Sequence, residues 1–144
     1  MCGAHAAVRH LLGGMMQAEH PLTIVDMEAG LEHLSRGTGR HVDTLLVVLE
    51  PYYKALEIGR RAAHLGRELG VARVIAVANK LRDAEDTAAV REYALANDLP
   101  VAGEIPLDDE LRKGDLAGRA PIDLEGSPAV AAIRKLATTI VADH

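Results

Sequence analysis

Hydrophobic residues along the chain fall into two alternating patterns. Four runs are short, almost continuously apolar and bounded by turn-forming residues, which is typical of strands buried on both faces of a parallel sheet. These predicted strands span residues 21–27, 43–51, 73–80 and 100–108. The first run ends abruptly at Asp26 and the second at Pro51.

Longer segments lie between the runs, and those of residues 4–17 and 53–70 carry apolar residues at the spacing of an amphipathic helix. Gly70 is placed to end one of them, and Ser127 followed by Pro128 is placed to begin the last, as N-cap and first helical residue. The predicted helices span residues 4–17, 53–70, 84–98, 109–118 and 127–143. Residues 30–42 are polar and rich in glycine, and their pattern fits either a loop or a short helix.

The alternation of strands and helices predicts an α/β fold, with a parallel sheet, right-handed crossovers and flanking helices. The chain has 144 residues, which is enough for one domain and too few for two. In such a sheet the carboxyl ends of the strands lie at one edge, where ligands bind.

Composition narrows the class of protein. Hydrophobic residues make up 49% of the chain but aromatic residues only 2%, so we expect a core of Ala, Val, Leu and Ile. The net charge of −5 gives no reason to expect nucleic acid as a partner. No apolar run reaches ~18 residues, and the last helix has only Arg134 and Lys135 as basic residues, so no membrane association is expected. The start lacks a signal-peptide pattern and Cys2 is the single cysteine, which fits a reducing, cytoplasmic location.

Polar residues follow three of the predicted strands. Asp26 ends the first, Asn79 and Lys80 end the third, and Pro106 and Asp108 end the fourth. Taken singly, each is an ordinary turn or helix-cap residue, and for Asp108 the cap is the favoured interpretation. Together at one edge of a sheet they predict a nucleotide site.

The segment after the first strand adds a second chemical indication. A carboxylate at a strand tip, Asp26, is a suitable partner for a hydrated metal ion bound to phosphate. Gly30 permits close approach of the backbone to a phosphate. We therefore expect the phosphate side of the ligand near these two residues.

Four motifs give the chain a specific resemblance to a known family. They are DMEAGLEHLSRGTGRHVD from Asp26, VVLEPYYKALEIGRRAAHLGRELG from Val47, VANKLRD from Val77 and EIPLDDELRKGDLAGRAP from Glu104. Over nearly its whole length the chain resembles the P-loop ATPases of the MinD/ParA type. Within that group it resembles the CooC-type ATPases that assist nickel insertion into carbon monoxide dehydrogenase. The resemblance implies a P-loop NTPase-like sheet.

The resemblance also implies roles for individual residues, with ATP or ADP and magnesium as the cofactors. Asp26 would hold the magnesium ion through water, and the backbone N–H of Gly30 would meet the γ-phosphate. The adenine would lie between the ends of two strands. The residues that the resemblance places around it are Asn79, Lys80, Pro106, Leu107 and Asp108.

One element of these ATPases is absent from the sequence. They carry a glycine-rich loop of the form KGGxGKT, whereas Gly13 and Gly14 here have neither a lysine nor a following Ser or Thr. We therefore interpret residues 1–144 as a single partial domain that lacks the P-loop strand. That strand would lie between residues 23–27 and 44–49, so we expect either a gap there or direct pairing of the two neighbours. The expected partner is a complementing N-terminal half or a second copy in a homodimer.

Cys2 is the candidate metal ligand. In CooC-type proteins a Cys-x-Cys pair lies just ahead of a similar helix, and the start Met1–Cys2 retains only the second cysteine. The resemblance implies nickel or zinc held between two chains at a dimer interface, with His5 as a candidate second ligand. The alternative, that Cys2 is a terminal residue with no ligand role and His5 is solvated, stays open.

The resemblance implies the C-terminal part of an ATP-binding metallochaperone ATPase, with carbon monoxide dehydrogenase as its client. Phosphoryl transfer needs the lysines that the sequence lacks, so we expect no activity of the chain alone, and whether it is an enzyme stays open. The alternatives are a non-catalytic interaction module and a degenerate MinD/ParA-type regulator. A GTP-binding switch fits poorly, because NKLRD from Asn79 is one residue longer than the guanine signature NKxD.

Overall fold

The structure, a computed structural model, describes residues 22–26 and 42–142. From the second predicted strand onward, the predicted order of strands and helices is confirmed. The strands are β1 (Thr44–Leu49), β2 (Arg73–Leu81) and β3 (Val101–Pro106). The helices are α1 (Tyr53–Glu68), α2 (Ala84–Ala96), α3 (Asp109–Leu116) and α4 (Pro128–Ala142), with a short 3₁₀ turn at Pro121–Asp123.

The three strands form one parallel sheet in the order β1-β2-β3, which confirms the predicted α/β fold. β1 and β2 pair without a shift, from Thr44 opposite Arg73 to Leu49 opposite Ala78. Because β2 lies in the centre, it packs on both faces, and residues 75–78 are all buried.

One face of the sheet packs against α1 and α2. Val47 and Leu49 of β1 share this core with Ala76 and Ala78 of β2. Here α1 lies very close to β1, since a Cβ at Gly59 would come within 2.1 Å of a Leu49 methyl carbon. The absence of a side chain at position 59 therefore allows this helix to approach the sheet.

The opposite face is covered by α4, which packs on β3. Gly103 lies opposite Val77 of β2, and a Cβ at Gly103 would be 2.9 Å from a Leu136 methyl carbon of α4. Ala129 and Val130, in the first turn of α4, are also buried. The described domain thus has three layers, with helices on both sides of the sheet.

The predicted burial of β1 on both faces is wrong for one face. Val47 and Leu49 are buried, but Leu46 and Val48, which point the other way, are 39% and 57% exposed. The reason is that α4 lies over β3, and no helix of residues 42–142 packs on this side of β1. The sequence pattern predicted the apolar character of β1 correctly, but it did not predict which of the two faces of the strand is covered by a helix.

The first predicted strand is wrong over residues 23–26. The structure describes residues 22–26 as neither helix nor strand, and Ile24 is 84% exposed. A strand requires a neighbour to complete its hydrogen-bond ladder, and no described strand pairs with this segment. Direct pairing of residues 23–26 with β1 is therefore not found. Met27 and the predicted helix of residues 4–17 lie outside the described residues.

Two predicted helix ends are confirmed, and the structure adds a third at Asp83. Gly70 follows α1 with φ of 80°, a left-handed conformation that glycine adopts without strain. The Ser127 hydroxyl accepts the Val130 N–H at 3.1 Å and so caps α4. The Asp83 carboxylate accepts the Asp86 N–H at 2.9 Å and caps α2.

A bulge interrupts β2 near its carboxyl end. Ala78 and Leu81 both belong to the core under α1 and α2, although a regular strand would place residues three apart on opposite faces. The register with β3 shifts at the same place, and Lys80 has φ of 57°, in the left-handed region. Asn79 and Lys80 therefore form a two-residue excursion that returns Leu81 to the core.

Asp108 joins the N-termini of two helices. Its carboxylate accepts the Glu110 N–H of α3 at 2.8 Å, which confirms the interpretation of Asp108 as a helix cap. The other oxygen accepts the Ser127 hydroxyl at 2.5 Å and the Ala129 N–H of α4 at 3.3 Å. The hydrogen bond from Ser127, followed by those from backbone N–H groups, holds the pKa of Asp108 below its usual range.

The strain at Lys80 leads to the first prediction. We expect a Lys80→Gly variant to have a free energy of unfolding about 0.5–1 kcal/mol higher than a Lys80→Ala variant. The reason is that alanine, unlike glycine, has a Cβ that is strained in the left-handed backbone conformation at position 80. Urea denaturation of both variants measures the difference. At Lys113, inside α3, the same pair should show the opposite order. Equal stability of the two variants at position 80 would contradict the observed backbone conformation.

The double cap leads to a second prediction. Replacing Asp108 by alanine should lower the melting temperature at pH 7 by roughly 4 °C or more. Asp109→Ala is the matched control. The Asp109 side chain is exposed, and its ion pair with Arg112 is long, at 4.0 Å, so its removal should change the stability little.

The pH dependence of this effect has a definite sign. A carboxyl group with a lowered pKa stabilises the fold above its ordinary pKa of about 3.9, and the stabilisation is lost as the pH falls through the folded-state value. The difference in melting temperature between wild type and Asp108→Asn should therefore be largest near neutral pH and shrink below pH ~4. A difference that stays constant from pH 7 to strong acid would show that the charge of Asp108 is not involved.

Candidate functional site

The carboxyl ends of β2 and β3 lie side by side. Leu81 is opposite Pro106, and the Leu107 N–H donates to the Leu81 carbonyl at 2.8 Å. The residues predicted from these two strands therefore lie at the same edge of the sheet. They are Asn79, Lys80, Pro106, Leu107 and Asp108.

Asn79 supplies the one predicted polar side chain at this edge that makes no hydrogen bond to the described residues. It is partly buried and lies in the bulge next to Lys80. Bulges are frequent beside functional sites, where they redirect a side chain. The amide offers both a donor and an acceptor, which is the combination that the edge of a purine can use.

Lys80 is engaged by Glu50, a residue whose role the sequence leaves open. Its Nζ lies 2.8 Å from Oε1 of Glu50, the residue that follows β1. The hydrogen bond from Glu50, and then its charge, raise the pKa of Lys80, so the lysine is a fixed cation here. The sequence did contain a signal for this residue, because Glu50 lies at the carboxyl end of a predicted strand and therefore at the same edge of the sheet as Asn79.

The loop after β2 is held by a second pair. Asp86 is buried and accepts hydrogen bonds from the Arg82 backbone N–H at 3.0 Å and from its Nε at 2.8 Å. The guanidinium of Arg82 lowers the pKa of Asp86 and keeps it ionised. Together with the cap from Asp83, this pair holds the first turn of α2, which follows the bulge in the chain.

A shallow pocket of about 320 Å³ opens between the ends of β2 and β3. Of the predicted site residues only Pro106 lines it, and Asn79 does not. One of its three charged lining residues, Glu104, is paired with both Nε and Nη2 of Arg91. The lining residues are Leu81, Arg82, Asp83, Thr87, Glu104 and Pro106.

The carboxylate that follows β3 is already engaged within the protein. Both oxygens of Asp108 accept hydrogen bonds from the starts of α3 and α4. Leu107, between Pro106 and Asp108, has a side chain that is 51% exposed. This end of the sheet therefore offers an apolar side chain at the same edge as the amide of Asn79.

The remaining predicted site residues are not brought to this edge by the described structure. Asp26 is exposed and belongs to no helix or strand. Gly30 and Cys2 lie outside the described residues. Within residues 22–26 and 42–142, no group of three or more His, Cys, Asp or Glu side chains is arranged to hold a metal ion. The helices of the same part of the chain are all too short or too polar to cross a membrane.

Comparison with known sequences identifies relatives. No protein-family model matches the chain. It is 37% identical over 129 residues to the carbon monoxide dehydrogenase accessory protein CooC of Rhodospirillum rubrum, covering 90% of this chain and 48% of that protein. It is 34% identical over 142 residues to an uncharacterized ATP-binding protein of Methanocaldococcus jannaschii, covering 98% of this chain and 54% of the relative. The chain thus spans about half the length of the curated relatives that it matches.

Comparison with solved structures supports the fold. The cell division ATPase MinD of Pyrococcus furiosus superposes with a TM-score of 0.75 at 20% identity, covering 95% of this chain and 59% of that one. MinD in the MinC:MinD cell division complex of Aquifex aeolicus gives a TM-score of 0.66 at 18% identity, covering 81% and 48%. The sequence relatives and the parallel sheet with its flanking helices agree with each other. The chain is CooC-like in sequence and has the fold of the P-loop ATPases of the MinD/ParA type.

Proposed function

We propose that this chain forms the base-binding part of an ATP-binding metallochaperone ATPase that assists nickel insertion into carbon monoxide dehydrogenase. The proposal is supported by one relative named as an accessory protein of that enzyme and another named as ATP-binding. Nickel is the cargo in this function, and carbon monoxide dehydrogenase is the client. The cytoplasm is the proposed location.

The observation that carries the proposal is the free amide of Asn79 beside the end of β3. Adenine presents a donor and an acceptor on neighbouring positions, and a single side-chain amide can meet both. The peptide groups and side chain of Leu107 lie at the adjacent strand end, since the Leu107 N–H bonds to Leu81. Asn79, Lys80 and residues 106–108 would hold the base of ATP or ADP.

The phosphate side of the nucleotide is assigned to other residues. In this proposal Asp26 holds magnesium through water and the Gly30 N–H meets the γ-phosphate, because a hard cation takes oxygen ligands and glycine permits close backbone approach. Cys2 would hold nickel or zinc between two chains, since one thiolate cannot complete a tetrahedral site.

The partner surface is proposed to be the open side of β1. Within the described sheet β1 is paired only with β2, and its residues Leu46 and Val48 are exposed. A strand that is apolar on both faces would satisfy the free edge and cover part of this surface. We propose that an N-terminal half of the ATPase supplies it, and that the complete assembly works as a homodimer.

A non-catalytic interaction module is the second candidate. It is favoured by the same exposed face of β1 and by the lack of a KGGxGKT loop in the sequence. A degenerate MinD/ParA-type regulator would belong to this class. The two candidates differ in whether the Asn79 edge binds a nucleoside.

Nucleoside binding provides the third prediction. We expect adenosine to shift the amide resonances of Asn79 and Leu107 in NMR titrations of the 144-residue chain. Asn79→Ala should weaken the affinity about tenfold, because it removes a bidentate amide contact. Asn97→Ala is the matched control, since the Asn97 amide donates to the Tyr93 carbonyl in α2. Equal affinity of wild type and Asn79→Ala for adenosine would refute the assignment of this edge.

ATP turnover provides the fourth prediction. The 144-residue chain should not hydrolyse ATP, because its sequence has no lysine-bearing glycine-rich loop to stabilise charge on the β- and γ-phosphates. Phosphate release with and without magnesium measures this. Magnesium-dependent turnover by the pure chain that Asp26→Asn abolishes would contradict the expectation.

A further inference from the structure

Glu50 and Lys80 connect the ends of two neighbouring strands. Leu49 is opposite Ala78, so Glu50 and the bulge of β2 come next along each strand. Lys80 Nζ is 2.8 Å from Glu50 Oε1, and the side chains are 55% and 25% exposed. Unlike the helical ion pairs of this chain, which join residues three or four apart, this pair spans the sheet.

The backbone at Lys80 needs external support. A residue other than glycine with φ of 57° is held there against a steric cost, and such conformations persist where the surroundings fix them. They are concentrated at functional sites. The strain lies directly beside Asn79, the residue with the free amide.

Each of the other neighbours of the bulge fixes the chain after Lys80. The Leu81 side chain is buried in the core, and its carbonyl accepts the Leu107 N–H. The next residue, Arg82, is bound by the carboxylate of Asp86. Among the described residues Glu50 makes the main side-chain interaction with Lys80 itself, and Tyr52 adds a weaker electrostatic one.

We propose that Glu50 and Lys80 are a positioning pair that holds the Asn79 amide in the orientation that selects adenine over guanine. This inference rests on the proposed function, because it concerns the same base-binding edge. Adenine presents one donor and one acceptor to an amide, whereas guanine presents two acceptors at the equivalent positions. An amide held in one place discriminates between the two bases, and one that moves freely does so less.

The test uses Glu50→Gln, which removes the charge and keeps the size of the side chain. An exposed ion pair contributes little to global stability, so the melting temperature should stay unchanged. We expect the resonances of the Asn79 side-chain amide and the Lys80 backbone to shift, adenosine affinity to fall about threefold or more, and the preference for adenosine over guanosine to decrease. Lys80→Met, which keeps the length of the side chain, should do the same.

The matched control is Glu110→Gln. It breaks a Lys–Glu pair of similar length, 2.7 Å to Lys113, that lies within α3 and does not touch the bulge. This variant should leave the Asn79 resonances and the base preference unchanged. The charge-exchanged double variant Glu50→Lys with Lys80→Glu should recover the preference that each single variant loses.

The outcomes separate this inference from the proposed function. If wild type binds adenosine and Glu50→Gln behaves like Glu110→Gln in both resonances and base preference, the positioning role is overturned. If wild type binds neither nucleoside, the proposed function fails. In that case the spectra recorded without nucleoside still test the positioning role of Glu50 and Lys80. Unchanged Asn79 and Lys80 resonances in Glu50→Gln would overturn that role.

Discussion

Strand β2 has to satisfy both helical layers and both neighbouring strands at once. Its buried residues 75–78 alternate between the core under α1 and α2 and the face under α4. To keep Leu81 in the first of these cores, the strand adds one residue, and the addition falls on Asn79 and Lys80. The unusual backbone and the free amide at the edge of the sheet both follow from this requirement of packing.

Most polar side chains near the ends of the strands are occupied by one another. Asp86 binds Arg82, Glu104 binds Arg91, and Asp108 caps two helices. These contacts neutralise charge and engage those carboxylates within the protein. One free amide among paired charges is the arrangement expected of a site that recognises hydrogen-bonding pattern.

Local pattern was sufficient to predict the strands and helices from residue 44 onward, because each has either a hydrophobic periodicity or recognisable end signals. It also predicted the cap at Ser127 and the placement of Asn79 and Lys80 at an edge. It failed for residues 23–26, since an apolar extended sequence becomes a strand only with a neighbour. The exposed side of β1 was missed for the same reason, as burial depends on what lies opposite.

Contacts between residues that are distant in the sequence could not be predicted from local sequence patterns. Glu50 and Lys80 are thirty positions apart, and no periodicity connects them. The second half of the Asp108 cap depends on α4 beginning next to α3, which only the folded chain shows. In both cases the residue type was visible and its partner was not.

The double cap also determines the charge at this end of the sheet. The N-terminus of a helix carries about half a positive charge, and here two of them converge on one carboxylate. One negative charge balances two such halves, and the first turn of α3 adds the carboxylates of Asp109 and Glu110. Helix N-termini are common phosphate sites, and neutralising this pair makes the region more suitable for the uncharged base of a nucleotide than for its phosphates.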